Sequence, residues 1–223
     1  MSWAEIAATP LEHEHVLLRP VRPQDRASLH AIAMDPEIWR YFPIRIETDA
    51  DFDAFFDAGI ADQLAGLRVV YHITDKRTGH AAGSMSFGNM AEKDGRLEIG
   101  WSWLGRGSQG KGVNRWAKFL MMRHAFEQMA AERVEFKTDL LNIQARHGLR
   151  NVGAVEEGTL RSFNPMPDGR RRDAVFYSVL RAEWPRVREQ LLTRPKVEPA
   201  APGAVPEPGA VPEPGAVPAE AGR

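Results

Sequence analysis

The sequence predicts an α+β fold, on three observations. Seven short apolar or alternating runs read as strands, and five stretches repeat their apolar residues at helical spacing. Hairpin-spaced strands come first, and one strand–helix–strand unit follows them. The 43% hydrophobic content suffices for a packed core, while no apolar run reaches the roughly 18 residues of a membrane span.

The elements follow in order. Residues 15–21 (HVLLRPV) form the first strand, ended by Pro23. Asp25 opens a helix that runs to Met34. Residues 49–66 form a second helix, with Phe52, Phe55 and Phe56 on its apolar side. Residues 67–74, 80–87 and 96–104 are strand-like and lead into a glycine-rich turn, Gly105 to Gly112. Val113, Trp116, Ala117, Leu120, Met121 and Ala125 then recur at helical spacing. In residues 133–138, Val134 and Phe136 share one face and Glu135 and Lys137 the other. A helix over 142–152 stops at Gly153. Strands at 154–160 and 172–180 and a helix from Arg181 close the body.

Residues 195–223 differ from this body. They hold 8 of the chain's 16 prolines and repeat a PGAVPE unit. Proline fixes φ and removes backbone donors, and little here can be buried. The expectation is a folded domain over 1–194 and a disordered Pro/Gly/Ala/Glu tail over 195–223. The formal net charge of −1 argues against a dedicated nucleic-acid binder. Zero cysteine leaves no disulfide, thiolate metal ligand or thiol nucleophile. The start, MSWAEIAATP, lacks a basic then apolar leader, so a cytoplasmic protein off the membrane is expected. The seven histidines show no metal pattern; His13 and His15 share a face without a third ligand close in sequence. No metal is expected.

The informative segment is Trp101 to Lys118, WSWLGRGSQGKGVNRWAK. Glycines allow close backbone approach, and a helix start offers unpaired N–H groups and a positive dipole end. A strand, such a loop and a helix in succession suit a phosphate or pyrophosphate. Gly105 to Lys111 fits the first seven positions of a triphosphatase loop, but Gly112 stands where Ser or Thr must bind Mg²⁺. A dinucleotide site would need an acidic ribose ligand on a second parallel strand, and none is apparent.

Gln109-Gly110-Lys111-Gly112-Val113-Asn114 resembles, at its first four positions, the Q/R-x-x-G-x-G/A acetyl-CoA loop of the GCN5-related N-acetyltransferase (GNAT) superfamily. Asn114 replaces the family's small third residue. RPVRPQD, RLEIGWSWLG, RVEFKTDLLN and NVGAVEEGTL also look like this family, and most like its ribosomal-protein N-terminal (RimJ/RimL-like) branch. The resemblance implies a mixed, strongly twisted sheet of about seven strands flanked by helices. That sheet would be splayed between its fourth and fifth strands, residues 96–104 and 133–138. The pantetheine arm would enter the gap along Trp103 and Leu104. The Leu104 N–H would polarise the thioester carbonyl. Gln109, Gly110, Lys111, Gly112, Val113 and Asn114 would hold the pyrophosphate, with Lys111 and Arg115 adding charge or simply lying on a solvated helix face. Asn142 would bond the arm, cap its helix, or do both.

Glu98 is the implied base that takes the amine proton; its competing role is an ion-paired strand residue. Strand alternation sets Glu98, Gly100 and Ser102 opposite Leu97, Ile99 and Trp101. The family's two usual acid positions hold Leu149 and Ala145. The implied function is acetyl transfer from acetyl-CoA, as cosubstrate, to an amine acceptor: a protein N-terminus, or a small molecule such as a polyamine or aminoacyl conjugate. A non-catalytic acyl-CoA binding module is the alternative. A homodimer stays open. Trp39, Tyr41 and Phe42 read as a substrate wall or a core staple, and Arg170, Arg171 and Arg172 as a guide for an acidic acceptor or a solvated hairpin end.

Overall fold

A computed structural model describes residues 1–193; the proline-rich tail expected at 195–223 lies outside the described residues. Six helices are present there: α1 (Trp3–Ala7), α2 (Arg26–Ala33), α3 (Asp49–Leu64), α4 (Val113–Glu127), α5 (Ile143–Asn151) and α6 (Trp184–Thr193). Eight strands form one sheet: β1 (Leu11–Glu12), β2 (Val16–Pro20), β3 (Val69–Asp75), β4 (His80–Ala91), β5 (Arg96–Leu104), β6 (Arg133–Asp139), β7 (Val155–Pro165) and β8 (Arg171–Leu180). Their spatial order is β1-β2-β3-β4-β5-β6-β8-β7. Every neighbouring pair is antiparallel except β5 and β6, which are parallel and joined through α4.

The sequence leads to seven strands, and the eighth is β1. Two residues carry no periodic signal, yet Leu11 pairs with Leu18 and Glu12 with Leu17. Helix α1 also escapes periodicity at five residues; a capping box between Ser2 and Glu5 starts it, and Trp3 and Ala7 anchor it in the core. The strands expected fourth and fifth are therefore the fifth and sixth.

Apolar layers cover both sheet faces. One joins Leu97, Ile99 and Leu104 to α1, α4 and α6 through residues such as Trp3, Leu120, Met121 and Val187. The other packs Trp103 against Leu29, Ala33, Phe52 and Phe56 of α2 and α3. Trp39 is buried here and donates Nε1–H to the Ala33 carbonyl at 2.6 Å, so of its two readings the core staple is the observed one.

Strand β5 changes parity on the way. Ser84 pairs with Trp103 and Ser86 with Gly100, so Met85 faces two residues, Trp101 and Ser102. The extra residue is a bulge, with Trp101 at φ 48°. Simple alternation sets Trp101 opposite Glu98. The bulge instead brings the indole to the Glu98 side, where Lys137 Nζ both bonds Glu98 at 2.7 Å and stands 5.9 Å from the Trp101 ring.

Strands β5 and β6 pair at Arg96–Arg133, Leu97–Val134 and Glu98–Glu135, and the register ends there. Strand β6 continues on β8 through Asp139–Ala174, while β5 stays with β4 as far as Gly83–Leu104. The sheet is thus splayed at the expected pair.

Gly83 holds the last β4–β5 contact. It sits at φ 149°, and a Cβ on it would stand 2.1 Å from the Trp103 carbonyl oxygen and 2.8 Å from Leu104 Cα. Gly83→Ala is expected to lower stability by about 2–4 kcal/mol in urea unfolding. Gly110→Ala, where a Cβ meets nothing within 4 Å, is expected to cost about 1–2 kcal/mol, for its φ of 70° alone. Equal losses in the two variants would show that the β4–β5 approach is not tight.

Candidate functional site

The open edge of β5 is defined by its hydrogen bonds. The Gly105 N–H donates to the Ala82 carbonyl at 2.9 Å. Backbone groups of successive residues in an antiparallel strand point to opposite edges. The Leu104 N–H and C=O therefore point away from β4, into the splay. There the Leu104 carbonyl accepts from Gln109 Nε2 at 3.0 Å, which latches the glycine loop to the strand end.

Beyond that latch the chain turns through Gly110 at φ 70° and Gly112 at φ 83° and enters α4 at Val113. No side chain caps this helix. Its first-turn N–H groups and positive dipole end sit beside an exposed Gly110 and Lys111, which suits an anion. Val113 is buried and pins the first turn to the core. The strand edge, the glycine turn and the uncapped helix start thus present backbone donors that suit an extended ligand with an anionic end.

Asn114 is already engaged: its Oδ1 accepts from Lys118 Nζ at 2.6 Å, one turn along α4. Burial pulls Lys118 down to about 8. The sequence reading passes over this lysine, whose spacing puts it on the helix's apolar side. Arg115 donates to the Leu191 carbonyl of α6 and stacks 4.7 Å from the Trp116 ring, turned toward that helix. Asn142 caps α5, accepting from the Ala145 N–H at 3.0 Å. Leu149 is buried in the core.

Glu98 is buried on β5 at the last pair before the splay opens. Its Oε2 accepts from Asn89 Nδ2 and Lys137 Nζ, each at 2.7 Å. Its Oε1 lies where Gly100 leaves room; a Cβ there would be 2.6 Å away. Glu98 is thus an ion-paired carboxylate beside the gap. Neither partner was foreseen from sequence, because Asn89, at φ 48°, lies beyond the apolar part of β4 and Lys137 comes from a different strand.

Around Glu98 runs a ladder of cations and rings. The Arg68 guanidinium lies 4.7 Å from the Trp101 ring, Lys137 stands 5.9 Å from both Trp101 and Phe163, and Arg172 is 5.8 Å from Phe163. Arg68 and Trp103 line a small cavity of about 20 Å³ with Phe52, Ser84 and Ser86. Arg68 Nε and Trp103 Nε1 are buried there without hydrogen-bond partners. The arginine run is not a solvated hairpin end throughout. Arg170 pairs with Asp139 and Asp168, Arg171 donates to Ser162, and Arg172 is buried.

At the far edge, a turn brings Glu14 between the two histidines, so ligand atoms of His13, Glu14 and His15 lie within 4.8 Å of one another. The third group that sequence spacing leaves out is thus the intervening residue. The His13 ring stacks 3.9 Å from Trp116.

A splayed parallel pair with an uncapped, glycine-started helix at its mouth is the architecture of acyl-CoA-using transferases. The chain belongs to the GNAT family, since the family described as acetyltransferase (GNAT) domain matches residues 15–155. It is similar to the uncharacterized N-acetyltransferase p20 of Bacillus licheniformis, 28% identical over 172 residues, 77% of this chain and 96% of that one. The candidate ribosomal N-acetyltransferase YdaF of Bacillus subtilis strain 168 is 26% identical over 179 residues, with coverages of 77% and 94%. A candidate acetyltransferase from T. thermophilus superposes with a TM-score of 0.75 at 34% identity, over 82% of this chain and 95% of that chain. Mycobacterium smegmatis RimJ, solved with CoA-disulfide, shares the fold with a TM-score of 0.70 at 23% identity, over 82% and 92%. No described helix is long and apolar enough to cross a membrane.

Lys118 supplies a pH test. Its folded pKa, about 8, lies below the reference value of 10.5, so between these pH values the unfolded chain binds more protons. Stability contributed by this group therefore rises with pH across that window and is lowest below it. Denaturant titrations at pH 7 and 10 are expected to show the native chain gaining up to about 3 kcal/mol relative to Lys118→Met. Parallel pH curves for the two proteins would refute the buried ammonium.

Proposed function

We infer that the protein transfers the acetyl group of acetyl-CoA to a primary amine by direct attack. The observation that carries this reading is the edge of β5 left unpaired by β6, with the Leu104 N–H directed into the gap beside the uncapped start of α4. The arm of acetyl-CoA would lie along Trp103 and Leu104, with the diphosphate on the backbone amides of Gln109 to Asn114. The Leu104 N–H would polarise the thioester carbonyl, where negative charge develops. Asn142 Nδ2 would be left to meet the arm, because its Oδ1 caps α5.

The amine nitrogen attacks the thioester carbon and the C–S bond breaks. The amine's proton passes to the Glu98 carboxylate, directly or through water, and the electron pair of the broken bond leaves on sulfur. Leu149 and Ala145 offer no acid, so the departing thiolate takes its proton from water. No covalent enzyme intermediate is needed. Acetyl-CoA as cosubstrate goes with a cytoplasmic setting. The likeness to YdaF supports a protein N-terminal amine as acceptor, with a small-molecule amine as the alternative.

Calorimetry with coenzyme A and thiol release from acetyl-CoA over an amine panel test the reading together. Heat for CoA with no thiol release on any amine would favour a binding module; no heat would remove the scheme. Glu98→Gln is expected to lower kcat/KM by about 10²–10⁴-fold, most at low pH where the amine is protonated, with CoA affinity unchanged. An unaltered pH–rate profile would take Glu98 out of the base role.

A further inference from the structure

Glu98 accounts for the amine but not for the cations around it. Lys137 closes on Glu98 at 2.7 Å, Arg68 on Asp62 at 3.0 Å, and Arg170 on Asp139 and Asp168. Arg172 has no such partner: among the described residues no carboxylate lies at ion-pair distance from its guanidinium. Its Nε is buried and without a hydrogen bond, and the residue is 6% exposed. Asp139 and Glu98 act on it only at longer range, and burial pulls its pKa down. A guanidinium stays charged under these conditions, and a buried charge without an adjacent anion is destabilising. Its cover is slight. Phe163, 41% exposed, stands over both Arg172 and Lys137. Next to Phe163, Ser162 holds φ 54° where the β7–β8 register is broken between Leu160 and Asn164.

We propose that the acceptor is an amine carrying one carboxylate, with the amine at Glu98 and the carboxylate on Arg172 beneath Phe163. This rests on the acetyl-transfer reading and narrows its substrate class. An oligocationic amine meets Lys137, Arg172 and Arg68 around a single carboxylate, Glu98, and is disfavoured. A zwitterionic amine brings the anion that Arg172 lacks while placing only one nitrogen at Glu98. A planar guanidinium suits a carboxylate, which accepts two parallel N–H bonds. The same chemistry is offered by a free amino acid and by a peptide N-terminus followed closely by an acidic side chain.

The test uses the full chain and matched acceptors. One arm compares a free amino acid, its carboxamide and its decarboxylated amine. The other compares C-terminally amidated tripeptides with Asp or Asn at the second position. Thiol release gives kcat/KM for each. The carboxylate member of one arm is expected to exceed its neutral partner by about 30-fold or more, and the arm that does so identifies the source. Arg172→Met, near in length but uncharged, is expected to bring that ratio close to one, and Arg172→Lys to restore part of it. A packing role under Phe163 would change stability and leave the ratio in place. Equal rates across the members of each arm with the unmodified protein would overturn the proposal, with no variant required. If no amine is turned over, calorimetry of the same acceptors with the CoA-saturated protein replaces the rates. Heat for the carboxylate members alone, lost in Arg172→Met, keeps the anion site while acetyl transfer fails; no heat for any member, or the same heat for neutral partners, removes it.

Discussion

The arrangement depends on where β5 and β6 part. They run together for three residue pairs and then follow different neighbours, β5 with β4 and β6 with β8. A parallel pair left open in mid-sheet exposes backbone donors and acceptors that a sheet normally uses internally. This edge is not left wholly bare. Gln109 reaches back to the Leu104 carbonyl, and the same residue opens the glycine turn into α4. One side chain therefore ties the strand edge to the helix start, fixing the distance between two groups of donors that a single extended ligand can engage together.

The bulge at Trp101 is the second constraint, and it works with the first. An extra residue in β5 shifts parity, so Leu104 returns to the α4 layer while Trp103 faces α2 and α3. It also turns the Trp101 indole over Gly88, where a Cβ would lie 2.5 Å from the ring. Gly88 and Gly100 thus clear space for a ring and a carboxylate on the same face. Two glycines that look like weak points in strands are where the site's side chains lie flat on the sheet.

Much of this was legible in the sequence, because strong periodicity survives tertiary context. The bounds of β5 and the start of α4 agree with their patterns, and the turn glycines fall where the chain bends into α4. What was not legible has physical reasons. Periodicity needs length, which β1 and α1 lack. Alternation assumes two residues per repeat, and a bulge breaks that assumption without altering composition; the only trace is an unusual WSW spacing. The partners of Glu98 were hidden because Asn89 and Lys137 come from two other strands, and their meeting is a property of sheet order. Lys118 was concealed by its spacing: a lysine at a core position reads as an interruption until its partner, Asn114, is seen one turn away.

The departure at Asn114 then has a structural reason rather than being a lapse in the loop motif. A small residue there would leave Lys118 buried with no acceptor for its protons, and a buried ammonium without one is destabilising by more than a hydrogen bond is worth. Asn114 supplies the acceptor in the first turn, where Asn is tolerated because the ladder of helix bonds has not yet closed. Its amide nitrogen stays near α5, 3.7 Å from where a Cβ on Gly148 would be. Asn114 therefore serves Lys118 within α4 with its oxygen while its amide nitrogen lies against Gly148 of α5.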